Sequence, residues 1–185
     1  VVVSHDSALN PDITRDGSGQ WLTRTGPAIH SLTFAELQRY DVGRTRPGSS
    51  YARRFKDQVA QDGERIPRLA DLFGLVERSG NVEVRFNIET KLDPRTPDLT
   101  PKPEAFARAL VAEIRRAGLE RRSTIQSFDW STLKAVKRLA PEVATVCLTT
   151  QQGSDDNIGA EKPGPSPWLG GLDVHDFGGS VPRLV

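Results

Sequence analysis

The 185-residue sequence has no methionine and one cysteine, Cys147. A single cysteine excludes an internal disulfide framework and any metal site built from several thiolates. Neither sign of charge is in excess: 25 Lys and Arg stand against 24 Asp and Glu, a formal net charge of +1. A nucleic-acid partner is therefore not expected, because such a partner calls for a basic surplus to neutralise phosphates. Apolar runs long enough to span a membrane, roughly 18–20 residues, are missing. So are the glycine-rich phosphate loops: neither GxGxxG nor GxxxxGK followed by Ser or Thr occurs, and no internal repeat is evident. What remains is 36% hydrophobic and 26% charged residues, the composition of a globular chain of one ordinary domain.

The lack of methionine includes position 1. The chain opens on Val1-Val2-Val3, which reads as the interior of a strand ending at His5. It closes on Val181-Pro182-Arg183-Leu184-Val185, which reads as a helix just starting, with Pro182 suited to its first turn. The expectation is a segment of a longer protein.

Between these ends the pattern changes at Ile66-Pro67. Before it, residues 6–26 are rich in Asn, Pro, Asp, Gly and Ser and read as loop. Thr33-Phe34-Ala35-Glu36 has capping-box spacing and predicts a short helix over about 33–40. Residues 41–64 are polar and rich in Gly and Arg, with no clear period. After it, helical and alternating segments follow in turn. Leu69, Leu72, Phe73 and Val76 predict a helix closed by Gly80. Val82, Val84, Phe86 and Ile88 alternate with Glu83, Arg85, Asn87 and Glu89 and predict a strand over 82–89. Phe106, Ala109, Leu110 and Ile114 predict the next helix, which Gly118 ends. A strand over 123–128, a helix capped by Asp129 and stopped before Pro141, and a strand over 143–149 follow. Residues 151–167 read as loop, and 172–174 as one more strand end. The order βαβαβ…β suits parallel strands.

An open doubly wound sheet and a barrel share this order. The polar face of the 82–89 strand favours the barrel. Asn87, Glu89 and Lys91 are two apart and share one face. A lumen tolerates polar groups near the C-terminal ends of strands, where a barrel builds its active site; a sheet covered by helices on both faces does not.

Few residues stand out as carriers of chemistry. His5, where the chain leaves its first apolar run, is suited to moving a proton near neutral pH or to a plain surface loop. Glu89 and Lys91 place a carboxylate and an ammonium together. They are suited to a hard cation and a phosphate, or to a local ion pair. Phe128 is suited to walling a pocket, and Asp129 to capping a helix. His175 and Asp176 follow the last expected strand and fit the same mouth or a solvated loop. Cys147 alternates with Val146 and Leu148 and reads as core rather than as a nucleophile.

Several ordered stretches resemble the glycerophosphodiester phosphodiesterases, especially bacterial members. They are Val-Val-Val-Ser-His5-Asp6 with Leu9-Asn10, Ser31-Leu32-Thr33 with Glu36-Leu37, and Asp41-Val42-Gly43. Gly63-Glu64-Arg65-Ile66-Pro67 with Leu69, Asn87-Ile88-Glu89 with Lys91, and Ser127-Phe128-Asp129-Trp130 with Leu133 complete the set. The resemblance runs over nearly the whole chain. It implies an α/β fold, part of a (β/α)8 barrel, with a small insertion over about 7–66 after the His-Asp strand. It makes His5 one of two catalytic histidines, Glu89 one of three acidic ligands of Ca²⁺ or Mg²⁺, and Lys91 a partner of the substrate phosphate. The family's His-Arg-Gly and Glu-x-Asp motifs and its last two strands are absent, so the first two and last two barrel strands are expected to be missing. The implied reaction is metal-dependent hydrolysis of a small-molecule glycerophosphodiester to glycerol 3-phosphate and an alcohol, with histidine acid/base catalysis. A lysolipid or sphingolipid phosphodiesterase of the phospholipase D kind, and a non-catalytic binding protein on the same fold, are the alternatives. The piece alone is expected to hydrolyse nothing.

Overall fold

Three short parallel strands lie side by side in the computed structural model, which describes residues 1–152 and 156–185. The strands are β1 (Phe86–Glu89), β2 (Ser123–Ser127) and β3 (Ala144–Cys147), in the order β1-β2-β3. Glu89 pairs with Gln126, and Gln126 with Val146. This register gathers Asn87, Glu89, Thr124, Gln126 and Val146 on one face and Phe86, Ile88, Ile125 and Cys147 on the other. The second face is the packed one, with Ile125 fully buried.

Five α-helices accompany the strands among the described residues: α1 (Phe34–Leu37), α2 (Ser50–Arg54), α3 (Leu69–Arg78), α4 (Pro103–Arg116) and α5 (Trp130–Leu139). In α4 the buried stripe is Ala107, Leu110, Val111 and Ile114, the i, i+3, i+4, i+7 spacing of one helix face, and it packs against α5. Ala109, expected on that stripe, is exposed. Gly118 takes a left-handed φ of 64°, which lets the chain leave α4 without a Cβ penalty. Asp129 caps α5 as its sequence position suggested, accepting from the Ser131 backbone N–H at 2.9 Å.

The chain divides into two compact units, Val2–Leu72 and Phe73–Val185, the latter also taking Val1. The sheet, α4 and α5 belong to the second. The first is poor in regular elements. Its core is Leu9, Leu37 and Ile66, surrounded by Val2, Leu22, Ile29, Leu32, Tyr40 and Val42. The capping box on α1 forms as expected: Thr33 accepts from Glu36 N at 3.2 Å, and Glu36 accepts from Thr33 N at 2.8 Å.

Several expected strands are shorter or absent. Val1–Ser4 forms no strand; Val2 makes one isolated antiparallel bridge to Arg68. Branched side chains favour extended backbone, but partners decide whether it becomes a sheet. The first strand of the sheet begins at Phe86 rather than Val82. The Asn81 side chain accepts from the backbones of Glu83 and Val84, and the Arg122 guanidinium donates to the carbonyls of Asn81 and Val84. These groups take the backbone partners that a strand would have used. Residues 174–177 form a 3₁₀ helix capped by Asp173 instead of following a strand, and Val181–Arg183 forms a 3₁₀ turn. The unpatterned 41–64 stretch contains α2. The expected 151–167 loop is without strand or helix where described; residues 153–155 of it lie outside the described residues.

Asp41 organises the unit without strands. Its carboxylate accepts from the backbones of Gly43 and Gly63, both at 2.9 Å, and pairs with Arg15, which also reaches Asp62. Burial pushes the Asp41 carboxyl up, but these bonds outweigh it and leave it below the ordinary value of 3.8. A carboxylate held down in the folded state stabilises fully above its unfolded pKa, and that stabilisation is lost as pH falls through the folded value. Unfolding monitored against pH is therefore expected to show stability falling below about pH 4, less steeply in Asp41→Asn. Gly43 supplies a steric test. A Cβ there would lie 1.7 Å from the Gln61 carbonyl oxygen. Gly43→Ala is expected to cost about 1–3 kcal/mol or more in denaturant unfolding; an unchanged midpoint would contradict this close approach.

Candidate functional site

Chemically capable side chains gather in two places, one in each unit. In the second unit they lie at the C-terminal end of β1. Glu89 is the last residue of that strand, and Thr90 continues the pairing by donating its N–H to the Gln126 carbonyl at 3.0 Å. Lys91 turns back so that Nζ lies 3.2 Å from Glu89 Oε1 and 5.9 Å from the centre of the Phe128 ring. An ammonium over a ring face is attracted by its quadrupole, so the pair and the ring together fix this lysine. Both charged side chains keep solvent contact, 27% for Glu89 and 37% for Lys91. An anion can therefore reach Lys91 without first breaking into the core.

The Ser127-Phe128-Asp129-Trp130 stretch holds this end of the sheet together. Ser127 Oγ donates to the Thr90 carbonyl at 2.9 Å and accepts from the Asp129 N–H at 3.1 Å. Trp130 Nε1 donates to the Leu148 carbonyl at 3.1 Å, and its backbone N–H donates to the Trp168 carbonyl at 2.8 Å. Burial raises the Asp129 carboxyl above its ordinary value against the pull of its Ser131 bonds, and the charge of Asp93 adds to the rise. Asp93 is itself paired with Arg95 at 2.7 Å.

The first unit holds His5. Its Nδ1 lies 2.9 Å from Asp6 Oδ1, and its side chain is 72% exposed. The other Asp6 oxygen accepts from Asn10 Nδ2 at 2.7 Å and from the Tyr51 hydroxyl at 3.3 Å. Burial would raise the Asp6 carboxyl, but hydrogen bonds from His5, Asn10 and Tyr51 together with the histidine's charge hold it below the ordinary carboxylate value. Burial and the neighbouring Asp6 charge raise the Tyr51 hydroxyl, which stays a donor. His5, Asp6, Asn10 and Tyr51 line one cavity of about 190 Å³.

The other sequence candidates have local roles. His175 Nδ1 is 2.9 Å from Asp173, whose carboxylate also caps the 3₁₀ helix. Cys147 is half-buried, and burial raises its thiol, which suits packing and not nucleophilic attack. Residues missed in the sequence are Tyr51, which lay in the unpatterned stretch, and Asn10, whose place in the Leu9-Asn10 pair was its one signal.

A divalent cation of the Ca²⁺ or Mg²⁺ kind takes about six oxygens, several of them usually carboxylate. Among the described residues no group of three or more His, Cys, Asp or Glu side chains is placed to hold a metal. Asp93 and Asp129 already serve Arg95 and the α5 cap. Glu89 offers one carboxylate, and the described residues do not complete a site around it.

The glycerophosphoryl diester phosphodiesterase family model matches residues 1–168. A crystal structure from Silicibacter pomeroyi DSS-3, of a protein assigned as a glycerophosphoryl diester phosphodiesterase, is 34% identical with a TM-score of 0.74; the match covers 82% of this chain and 50% of that one. The chain thus spans half the length of that relative. A second, assigned as a glycerophosphodiester phosphodiesterase from Galdieria sulphuraria, is 22% identical over 74% of this chain and 48% of that one, with a TM-score of 0.48. No curated protein matches the chain.

The two states of Asp129 give a test local to the second unit. A buried carboxylate with a raised pKa costs stability when ionised and nothing when neutral in both folded and unfolded states. Asp129→Asn keeps a capping side chain and removes the charge. It is expected to match or exceed the parent in urea unfolding at neutral pH and to lose that advantage in acid. Asp129→Ala is expected to lose about 1 kcal/mol.

Proposed function

The chain belongs to the glycerophosphoryl diester phosphodiesterase family, and from that premise we propose that it supplies catalytic parts of an enzyme hydrolysing glycerophosphodiesters to glycerol 3-phosphate and an alcohol. The observation that carries this reading is the pairing of Glu89 and Lys91 at 3.2 Å on the polar face, at the C-terminal end of a parallel strand. That is where a (β/α)8 barrel keeps its chemistry. On this reading Phe73–Val185 is part of the barrel wall, and residues of about 7–66 are the insertion that follows the His-Asp segment.

A phosphodiester carries a negative charge that repels nucleophiles, and its non-bridging oxygens gain charge as the new P–O bond forms. Lys91, held by Glu89 and the Phe128 face, would lie against one such oxygen and stabilise it in the transition state. His5 would move a proton, either from the attacking oxygen or to the departing alkoxide, through the ring nitrogen that Asp6 leaves open. The attacker is water or the substrate's own glycerol hydroxyl; in both cases the sum is one water consumed, one P–O bond broken and one alcohol released. Phe128 would wall the pocket beside the phosphate. A divalent cation, when bound, would neutralise the same oxygens, with Glu89 contributing one carboxylate. The described residues do not complete its site, and the roles of Lys91 and His5 stand without it.

Release of glycerol 3-phosphate from a glycerophosphodiester by the intact protein tests this directly. Lys91→Ala is expected to lower kcat/KM by at least about tenfold, the loss of one charge-assisted contact. His5→Ala is expected to lower kcat by about 10²–10⁴. Chelator is expected to abolish activity and Ca²⁺ or Mg²⁺ to restore it. Near-normal turnover in both variants would remove these residues from the reaction.

A further inference from the structure

His5 is mostly exposed, and an exposed imidazole on a free loop has no reason to hold one orientation or one tautomer. Its Nδ1 meets the Asp6 carboxylate at 2.9 Å. That partner is unusually well held. Asp6 Oδ1 meets the ring, and Asp6 Oδ2 is fixed from two directions, by Asn10 at 2.7 Å and by Tyr51 at 3.3 Å. Asn10 is fixed in turn. Its Oδ1 accepts from the Asp12 backbone N–H at 2.9 Å, which sets the amide so that Nδ2 points at Asp6.

Tyr51 arrives from another part of the unit. It sits on α2, in the stretch with no sequence period, and 45 residues separate it from Asp6. The residue before it points the same way: Ser50 Oγ donates to Asp12 Oδ2 at 2.9 Å. Arg46 N also donates to the Asp12 carbonyl, at 2.7 Å. Neighbouring residues of α2 and its approach therefore grip residues 6–12 at three points, while Ser49 closes the first turn of α2 by accepting from the Ala52 N–H at 3.0 Å. The grip ends on the one carboxylate that touches His5.

We propose that Tyr51, with Asn10, is a positioning residue: it anchors Asp6 so that the neutral His5 ring carries its proton on Nδ1 and presents Nε2 for proton transfer. The catalytic role of His5 rests on the proposed phosphodiesterase reading; the tautomer does not. Which nitrogen carries the proton is set by the bond the other ring nitrogen makes, and an ionised carboxylate can only accept. Nδ1 must therefore donate whenever the pair is formed. An aspartate that could swing away would release the ring to both tautomers, and only one of them has Nε2 free to take a proton. In this account α2 converts a surface histidine into an oriented one.

The test reads the ring proton in the whole chain by long-range ¹H–¹⁵N NMR at a pH where the imidazole is neutral. Only three histidines are present, His5, His30 and His175. His5→Gln identifies the signal. In the parent the Nδ1–H form of His5 is expected to exceed the Nε2–H form by about fivefold or more, as a charge-assisted bond provides. Asp6→Ala is expected to abolish the excess. Tyr51→Phe, which removes one oxygen and keeps the ring, is expected to reduce it, with backbone shifts outside residues 5–12 and 49–52 unchanged. A parent ring with Nε2 protonated would overturn the proposal, and a Tyr51→Phe ring identical to the parent would remove Tyr51 from it. Because the readout is a tautomer and not turnover, its failure is distinct from failure of the phosphodiesterase reading.

Discussion

The register between Phe86–Glu89 and Ser123–Gln126 is the constraint on which the second unit depends. Side chains alternate along a strand, so this one pairing decides which groups meet the helices and which face the other way. A slip of β1 by one residue would turn Asn87 and Glu89 to the packed face and Phe86 and Ile88 away from it. The cost of burying an unpaired carboxylate rules that out, and the edge-on packing of Phe86 against Phe73 selects the opposite choice. Once the register is set, Thr90 bonds to Gln126, Ser127 bonds to Thr90, and the Lys91–Glu89 pair has a fixed base. The candidate chemistry is thus a consequence of the same period-two pattern that makes the sheet.

The first unit is built on another principle. It has little regular structure to satisfy its backbone, and short polar side chains, mostly carboxylates, take over that task. Asp41 holds the backbones of Gly43 and Gly63, Asp16 holds those of Ser18 and Gln20, and Asn10 holds that of Asp12. Buried backbone donors must find acceptors somewhere, and a short charged side chain is an economical one. The unit's architecture is therefore tied to ionised aspartates.

How far the sequence could be read follows from this contrast. The helices of the second unit were legible because their apolar residues recur every three or four positions, and β2 was legible from its place between two helical patterns. The start of β1 was not, since Asn81 and Arg122 act across 41 residues or less to divert an alternating segment, and side-chain capture leaves no periodic trace. The strand expected at Val1–Ser4 failed for a related reason: propensity is local, pairing is not. Glu89, Lys91 and Phe128 come together where a shared face and a motif mark them. Tyr51 was not found, because its meaning lies in a contact between the 41–64 stretch and the His5 loop that no spacing rule encodes.

The proposed function requires Lys91, held by Glu89 and Phe128, to receive a phosphate-bearing ligand. Equilibrium titration of the intact protein with glycerol 3-phosphate, followed by ³¹P NMR, tests it most directly. Binding is expected to be saturable, to weaken with added salt and to be lost in Lys91→Ala while Lys91→Arg retains most of it. Equal affinity in the parent and Lys91→Ala would contradict it.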